Sequence, residues 1–212
     1  MIHQLRQEYH SASLSANDMA PSPFDQFHAW FQAALEAGVQ EPNAMTLSTA
    51  TLDGQPRGRV VLLKDYGPSG FSFFTNYGSR KGAEIDENPK VSLTFLWLDL
   101  HRQIRIEGIA ERLPKSDSEA YFQSRPRGSQ VGAWASPQST VIQGRSWLLD
   151  RVETLEKKHE GQEVLPLPEF WGGYLVKPTL FEFWQGQVSR LHDRFEYLLN
   201  GDGTWLRQRL AP

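Results

Sequence analysis

The sequence contains no cysteine. This absence excludes disulfide bonds, thiolate metal sites and cysteine nucleophiles, and it is compatible with a reducing compartment. No apolar run approaches the ~18 residues that a membrane helix needs. The N-terminal segment also lacks the apolar core of a secretion signal. We therefore expect a cytoplasmic protein without a membrane partner.

The signatures of metal and nucleotide sites are missing as well. The six histidines are scattered without the spacing of metal ligands, so no metal is expected. Neither the G-x-G-x-x-G pattern of dinucleotide-binding folds nor the G-x-x-x-x-G-K-[ST] pattern of phosphate-binding loops occurs. A net charge of −3 gives no support for nucleic-acid binding. Any basic site must therefore be local.

The composition that is present favours one folded unit. Of the 212 residues, 39% are hydrophobic and 12% are aromatic, which is sufficient for a substantial core. The first part, 1–20, is polar and is interpreted as an arm. We expect a main domain over 21–165 and a C-terminal segment, 166–212, whose strands complete the same barrel.

The first predicted helix has clear signals at both ends. Ser22 is a candidate N-cap, Pro23 suits the first helical position, and Gly38 follows the end. An apolar stripe at helical spacing is expected to face the core, and it comprises Phe24, Phe27, Phe31, Ala34 and Leu35.

Strand patterns dominate the rest of the chain. The segment 44–66 reads as two strands around an Asp53–Gly54 turn. Further strands are predicted at 70–76, 90–98 and 102–113, and strand character returns in the final segments FWGGYLV, LFEFWQ, DRFEYLL and TWLRQRL. Short strands separated by glycine-rich turns favour an antiparallel barrel, so the fold class is mainly β (α+β) with flanking helices.

Two helical segments interrupt the strands. The first is expected to open with a capping box between Ser116 and Glu119. The second should carry one apolar side, formed by Leu148, Leu149, Val152 and Leu155.

Basic residues concentrate at two places in the first half of the chain. Arg59 and Lys64 flank an apolar run that predicts a strand buried on both faces, although they could be ordinary flanking charges. Ser79 is a candidate N-cap that places Arg80 and Lys81 in the first turn of a helix. The helix dipole disfavours cations there, so free N–H groups and two cations together indicate an anion site.

Two more basic groups lie in the second half. Tyr121 and Arg125 are four apart on a predicted helix, and Ser129 follows the break at Pro126. Their donors suit a phosphate monoester, and a surface helix end explains them nearly as well.

The last basic group occupies alternate positions of the segment EFWQGQVSRLHDR. If this segment is a strand, Arg190, His192 and Arg194 share one face, opposite either solvent or an anion. Asp193 then points to the other face, so it should not form a catalytic dyad with His192.

These blocks resemble a known family, in order and over nearly the whole chain. RVVLLK, FFTNYGSRK, YFQSRPRGSQVGAW, FWGGY and FEFWQGQVSRLHDRFEY are similar to segments of the pyridoxine (pyridoxamine) 5′-phosphate oxidases. The resemblance implies an FMN-binding split β-barrel that works as a homodimer, with FMN at the subunit interface. It also implies oxidation of pyridoxamine or pyridoxine 5′-phosphate to pyridoxal 5′-phosphate, with O2 as the electron acceptor and H2O2 as a product.

The resemblance also implies site residues. The residues that the resemblance assigns to FMN binding, called below the residues matched to FMN, are Arg59, Val60, Val61, Leu62, Leu63, Lys64, Phe74, Thr75, Arg80, Lys81, Gln103, Gln138, Ser139, Trp184 and Arg194. Those matched to the substrate are Lys64, Tyr121, Arg125, Ser129, Arg190, Leu191 and His192, with Arg6 and Tyr9 in an N-terminal lid. Arg190 and His192 are the expected catalytic residues.

One position departs from the family pattern, because Phe74 stands where a tyrosine is expected. If the contact at this position is made by the backbone, little changes, whereas loss of a hydroxyl contact would weaken FMN binding. Two other classes of protein remain open. One is a non-catalytic carrier or sensor of flavin or pyridoxal phosphate, and the other is a flavin reductase that uses a nicotinamide donor.

Overall fold

The strands of this protein form one antiparallel sheet. The computed structural model describes residues 2–5 and 8–212. The lid residue Arg6 lies outside this set. The strands are β1 (Ala44–Ala50), β2 (Pro56–Leu62), β3 (Asp65–Gly67), β4 (Gly70–Asn76), β5 (Lys90–Trp97), β6 (Arg102–Arg112), β7 (Trp171–Gln185), β8 (Asp193–Leu199) and β9 (Trp205–Leu210). The helices are α1 (Pro23–Glu36), α2 (Arg80–Glu87), α3 (Lys115–Ser124), α4 (Arg127–Ala135) and α5 (Arg145–Lys158).

The strand order closes the sheet into a split barrel. The order is β2-β1-β5-β6-β7-β4-β3, and the β8–β9 hairpin also pairs with β7. The chain passes from β2 to β3 through Leu63 and Lys64, whose N–H groups donate to Asn43 O (2.8 Å) and Ser72 O (2.9 Å). The two ends of the sheet are joined there. The predicted antiparallel barrel is therefore confirmed.

The long strand β7 is the hub of the sheet. It pairs with β6 along one edge, and its other edge is shared by β4 in the first half and β8 in the second half. The sequence pattern predicted two strands where this single strand runs. The boundary proposed between residues 165 and 166 stays a prediction.

Helix α1 fills one end of the barrel with aromatic side chains. The Ser22 hydroxyl accepts a hydrogen bond from Phe24 N and Pro23 opens the helix, so the predicted cap is confirmed. The Phe27 ring is fully buried, and its centroid lies 4.8 Å from that of Phe71 and 5.2 Å from that of Phe95. These edge-on contacts couple the helix to β4 and β5.

The predicted apolar stripe of α1 is wrong at one position. Leu35 is 48% exposed, whereas Trp30, which was not assigned to the stripe, is buried with 4% exposure. The buried face follows Phe27, Trp30 and Ala34, a spacing of three and four residues, and Leu35 lies beside it.

The helical region after β6 differs from the prediction in two respects. Helix α3 begins at Lys115 with Pro114 as its N-cap, and Ser116 bonds to Asp117, so the predicted capping box is not formed. The sequence also gave no indication of α4, which begins directly after Pro126. Its glycines have low helix propensity, and packing against α5 therefore has to stabilise it.

Two further predictions of burial are wrong. Strand β2 lies at the end of the sheet order, and Val60 and Leu62 are 68% and 36% exposed, so the strand is not buried on both faces. On α5, Leu149 is 53% exposed and no residue is fully buried. The two segments therefore present apolar surface to the outside of the chain.

No helix of the described residues is long and apolar enough to cross a membrane.

The position of Phe27 predicts a large effect on stability. Phe27→Ala should lower the free energy of unfolding by about 3–5 kcal/mol, because it removes a buried ring from a core that cannot collapse around the gap. Leu35→Ala on the same helix is the control and should cost about 0.5 kcal/mol or less. Chemical denaturation of both variants measures the difference, and equal losses would contradict the burial pattern of α1.

Candidate active site

Strand β7 carries a cluster of polar and aromatic side chains at each end. Trp171 is its first residue, and Trp184 is next to its last. At about 3.3 Å per residue, the two tryptophans are separated by about 40 Å along the strand. The clusters are therefore two separate half-sites of one chain, and no single small ligand bridges them along β7.

We call the first group the Trp171 cluster, and it comprises Lys64, Phe74, Tyr121, Arg125, Ser129 and Trp171. The Phe74 and Tyr121 rings stack with centroids 3.9 Å apart, and the Tyr121 and Trp171 rings are nearly parallel at 6.2 Å. The Arg125 guanidinium lies 4.8 Å from the Trp171 ring, and Lys64 Nζ lies 5.8 Å from the Tyr121 ring. The stacked rings of this cluster thus each contact a cation, Lys64 at Tyr121 and Arg125 at Trp171.

Arg125 is prepared to bind an anion. Its Nη1 atom is buried and has no hydrogen-bond partner among the described residues. Burial lowers the pKa of this guanidinium, although its ordinary value is so high that it stays charged. Arg125 and Ser129 line a cavity of about 300 Å³. A buried donor of this kind is costly unless a ligand satisfies it, and a phosphate oxygen would do so.

Tyr121 and Arg125 belong to one cluster, but not because they share a helical face as the sequence predicted. Arg125 is the C-cap of α3 and has extended backbone angles, so the two residues do not share a helical face. Trp171 brings them together instead, because both side chains pack on its ring.

A second basic group surrounds the start of α2. Ser79 caps this helix as predicted, and its hydroxyl accepts a hydrogen bond from Gly82 N. Lys81 Nζ lies 3.2 Å from Thr75 Oγ1 and 3.5 Å from Gln138 Oε1. Burial, and then the charge of Arg59, lower the pKa of Lys81. An anion among these groups would relieve both effects.

A buried carboxylate fixes the arginines of this region. Glu84 is 3% exposed and forms ion pairs with Arg57 and Arg59, at 3.0 Å in the case of Arg59. Burial alone raises the pKa of Glu84, but hydrogen bonds from Thr49 and Arg57 and the charges of both arginines lower it overall. Arg59 also donates to Thr49 Oγ1 at 2.6 Å. Arg59 is thereby held beside Lys81.

The second half-site is the Trp184 cluster, whose residues line a cavity of about 350 Å³ that also includes Pro212. Its members are Gln103, Arg105, Glu182, Trp184 and Arg194. Glu182 Oε1 accepts from Arg194 Nε at 2.8 Å, and its Oε2 accepts from Arg105 Nη2 at 2.7 Å. Gln103 pairs with Trp184 across β6 and β7, so three residues matched to FMN, Gln103, Trp184 and Arg194, are brought together.

His192 and Tyr9 extend the Trp184 cluster. The His192 ring lies 4.6 Å from the Trp184 ring, and the Tyr9 ring lies 5.9 Å from Trp184 and 6.0 Å from His192. Gln187 N donates to His192 Nδ1 at 3.0 Å, which leaves the ring proton of the neutral form on Nε2. Burial and the charge of Arg190 lower the pKa of His192, so the neutral form is favoured.

The predicted alternation of Arg190, His192 and Arg194 along one strand is wrong. Val188–Arg190 forms a short 3-10 turn in which Ser189 and Arg190 have positive φ angles of 54° and 61°, and β8 begins only after His192. His192 therefore packs on Trp184, and Arg194 turns to Glu182. Arg190 is exposed on the turn.

Asp193 has a structural role. Its carboxylate accepts hydrogen bonds from Leu14 N (2.9 Å), from Gln187 Nε2 (3.0 Å) and from Arg209. The residue is buried, and no hydrogen bond joins it to His192 among the described residues. It anchors the N-terminal arm, which brings Tyr9 to the Trp184 cluster.

Several residues that the resemblance assigns to ligand binding are exposed in the single chain. They are Val60, Leu62, Lys64, Arg80, Ser129, Gln138, Ser139, Arg190 and Leu191. Val61 is partly buried and Leu63 is buried. The described residues contain no group of acidic and histidine side chains that could hold a metal ion.

Four residues of these clusters were not singled out from the sequence. Trp171, Glu84, Arg105 and Glu182 all act through partners that are distant in the chain. The signals that could have indicated them are weak. Trp171 opens the WGGY block, and Glu84 follows Lys81 by three positions on α2.

Comparisons with known proteins support one family. Residues 31–159 match the family model described as pyridoxamine 5′-phosphate oxidase, and residues 171–212 match the model of the pyridoxine 5′-phosphate oxidase C-terminal dimerisation region. A pyridoxine/pyridoxamine 5′-phosphate oxidase from Salinibacter ruber is 51% identical over 212 residues, which cover 100% of this chain and 99% of the relative. One from Crocosphaera subtropica is 54% identical over 210 residues, 98% of each chain.

Solved structures agree with this result. PhzG from Burkholderia lata, in complex with tetrahydrophenazine-1-carboxylic acid, has a TM-score of 0.88 at 30% identity and covers 95% of this chain and 99% of its own. A pyridoxamine 5′-phosphate oxidase-related, FMN-binding protein from Nostoc punctiforme shares the fold, with a TM-score of 0.71 at 16% identity over 92% of this chain and 100% of its own. With its split barrel, its paired half-sites and relatives identical at half of all positions, this chain belongs to the pyridoxine/pyridoxamine 5′-phosphate oxidase family.

Proposed function

We propose that the protein oxidises pyridoxamine 5′-phosphate and pyridoxine 5′-phosphate to pyridoxal 5′-phosphate with FMN as its cofactor. O2 accepts the two electrons and is released as H2O2. The amine substrate also consumes water and releases ammonia. This reaction serves the salvage of vitamin B6 and the synthesis of its cofactor form. The observation that carries the proposal is the unpartnered, buried Nη1 of Arg125, whose side chain lines one cavity with Gln138, a contact of Lys81 on α2.

The residues around the start of α2 fit the phosphate of FMN. Lys81, Arg59 and Thr75 supply donors, and the free N–H groups of the helix N-terminus add partial positive charge. A phosphate there would offset the burial that lowers the pKa of Lys81. Bound FMN supplies the two-electron acceptor of the reaction, which no protein side chain provides.

The Trp171 cluster fits the phosphate of the substrate. Arg125 provides a guanidinium fork, Lys64 a point charge, and Tyr121 and Ser129 hydroxyl groups. The Arg125 guanidinium is packed on the Trp171 ring, so little of its side-chain freedom is lost when the phosphate binds. Phe74 contributes its ring, which stacks on Tyr121, and this contact needs no hydroxyl.

A homodimer completes the site. The residues matched to the ligands divide between the two ends of β7, and residues 171–212 match the dimerisation region of the family. In our proposal the Trp184 cluster of one subunit faces the Trp171 cluster of its partner, with FMN between them. The exposed Val60 and Leu62 on the edge strand β2 would be covered in this arrangement.

Arg190 and His192 act on the substrate ring in this proposal. Since His192 is neutral and carries its proton on Nε2, it can donate a hydrogen bond to a substrate oxygen. The exposed guanidinium of Arg190 positions the reacting carbon and stabilises the negative charge left when the amine or hydroxyl loses its proton. Tyr9 covers this region and limits the access of water.

We also propose a cytoplasmic location, because a sequence without cysteine suits a reducing compartment. A relative from Arabidopsis thaliana, 51% identical over 214 residues, is named chloroplastic, and this chain spans 40% of its length.

A prediction of the proposed function concerns the spectrum of the purified protein. It should be yellow, and its flavin absorbance should bleach under anaerobic conditions when pyridoxamine or pyridoxine 5′-phosphate is added. Admission of O2 should restore the colour and yield H2O2. Bleaching by a nicotinamide donor alone would indicate a reductase instead, and a yellow protein that no phosphorylated vitamer bleaches would indicate a carrier or sensor.

Another prediction separates turnover from cofactor binding. Arg190→Ala should lower kcat by about 100-fold or more while changing the Kd of FMN less than about threefold, since loss of a group acting at the reacting centre affects chemistry. Arg59→Ala should raise the Kd of FMN by about tenfold or more, because a charge-assisted hydrogen bond contributes about 1.5–3 kcal/mol.

A matched control is Arg145→Ala, which removes an exposed arginine at the start of α5. It should change neither quantity. If Arg190→Ala retained full turnover, the role assigned to Arg190 would be wrong. Steady-state kinetics at saturating FMN and fluorescence titration of the apoprotein with FMN provide the two measurements.

A further inference from the structure

Glu182 lies at the centre of the Trp184 cluster, yet it is not among the residues matched to a ligand. It sits on β7, is 4% exposed, and lies opposite Arg105 in the register with β6. Arg194 reaches it diagonally from β8, where it pairs with Trp184. The two carboxylate oxygens are divided between the two arginines, at 2.8 Å for Arg194 and 2.7 Å for Arg105.

We infer that Glu182 is a positioning residue that sets the direction of the Arg194 guanidinium toward FMN. This inference rests on the proposed function, in which the Trp184 cluster contacts the cofactor. Glu182 holds Nε of Arg194, and Ala211 O accepts from Nη1 at 2.8 Å. Nη2 makes no hydrogen bond within the described part of the chain. Two of the three nitrogens are therefore fixed, and the Arg194 side chain lines the same cavity as Gln103 and Trp184.

A carboxylate is required at this position because both arginines need an acceptor. Burial raises the pKa of Glu182, but the hydrogen bond from Arg194 and the charge of Arg105 lower it overall, so the side chain is ionised at neutral pH. A glutamine has one acceptor oxygen and one NH2 donor group. Its NH2 group would have to face one of the two guanidinium groups, and Arg194 or Arg105 would turn away.

The backbone around Glu182 does not depend on this side chain. Its neighbours Phe181 and Phe183 are fully buried on the opposite face of β7, and the pairing with β6 and β8 is continuous through residue 182. The loss of one acceptor should therefore redirect arginine side chains while the strand stays in place.

The test compares three variants in the dimeric protein, with FMN itself as the probe. Glu182→Gln should raise the Kd of FMN by about tenfold or more, because the guanidinium of Arg194 loses its fixed direction. Adding Arg105→Gln removes the competing cation and supplies an amide oxygen for the NH2 group of the new glutamine. The oxygen of that glutamine can then face Arg194, and the double variant should recover a Kd within about threefold of the wild type.

Glu107→Gln is the matched control. Glu107 also forms an ion pair with Arg105, at 3.1 Å, but it does not contact Arg194. This variant should bind FMN as the wild type does. Thermal unfolding of each apoprotein, recorded in parallel, separates a loss of folding from a loss of affinity.

Four outcomes bear on the inference. An unchanged Kd of FMN in Glu182→Gln would overturn the inference. A double variant that folds but does not recover affinity would also overturn it. That result would point to a general loss of stability, which the second substitution, Arg105→Gln, would not rescue. If Glu182→Gln alone did not fold, the affinity of the double variant would decide in the same way. Wild-type protein that does not bind FMN would instead contradict the proposed function, and the inference would fall with it.

Discussion

A buried glutamate held between two arginines orients the basic groups both at the start of α2 and in the Trp184 cluster. Glu84 holds Arg57 and Arg59 beside α2, and Glu182 holds Arg105 and Arg194 on the barrel. Burying a carboxylate is unfavourable unless its oxygens are fully hydrogen-bonded. Each glutamate meets this condition only when both arginines adopt defined rotamers. Arg59 and Arg194, the two arginines that the resemblance assigns to FMN, are therefore oriented by protein contacts alone, at the cost of desolvating one carboxylate each.

The length of β7 determines how these half-sites are used. Trp171 and Trp184 lie at opposite ends of a strand that pairs with β4 and β8 in succession, so a single chain separates the residues of the site. In the proposed dimer, a second copy related by twofold symmetry would bring one end of each strand to the other end of its partner. The family's C-terminal dimerisation region, residues 171–212, contains this whole strand. In this proposal, dimerisation and formation of the site are one event.

Local signals were sufficient for much of the fold. The caps at Ser22 and Ser79, the Asp53–Gly54 hairpin and most strands follow from turn chemistry and period-2 patterns within a few residues. The exposure of Val60 and Leu62 could not be predicted, because it depends on which strand lies at the end of the sheet. Helix α4 was missed because its stability comes from α5, and Glu182 was missed because its partners lie on two other strands. The resemblance to the family supplied the site residues that no local pattern could connect.

The segment that ends in Arg194 shows why alternation failed at the site itself. A strand places every second side chain on one face, but positive φ angles at Ser189 and Arg190 break the strand before His192. Such angles are unfavourable for residues with a side chain and persist where the surrounding structure imposes them. Here the turn is flanked by the hydrogen bond from Gln187 N to His192 Nδ1, which fixes the ring on Trp184. The three basic residues consequently have three different environments, as the proposed division of this short segment between cofactor and substrate requires.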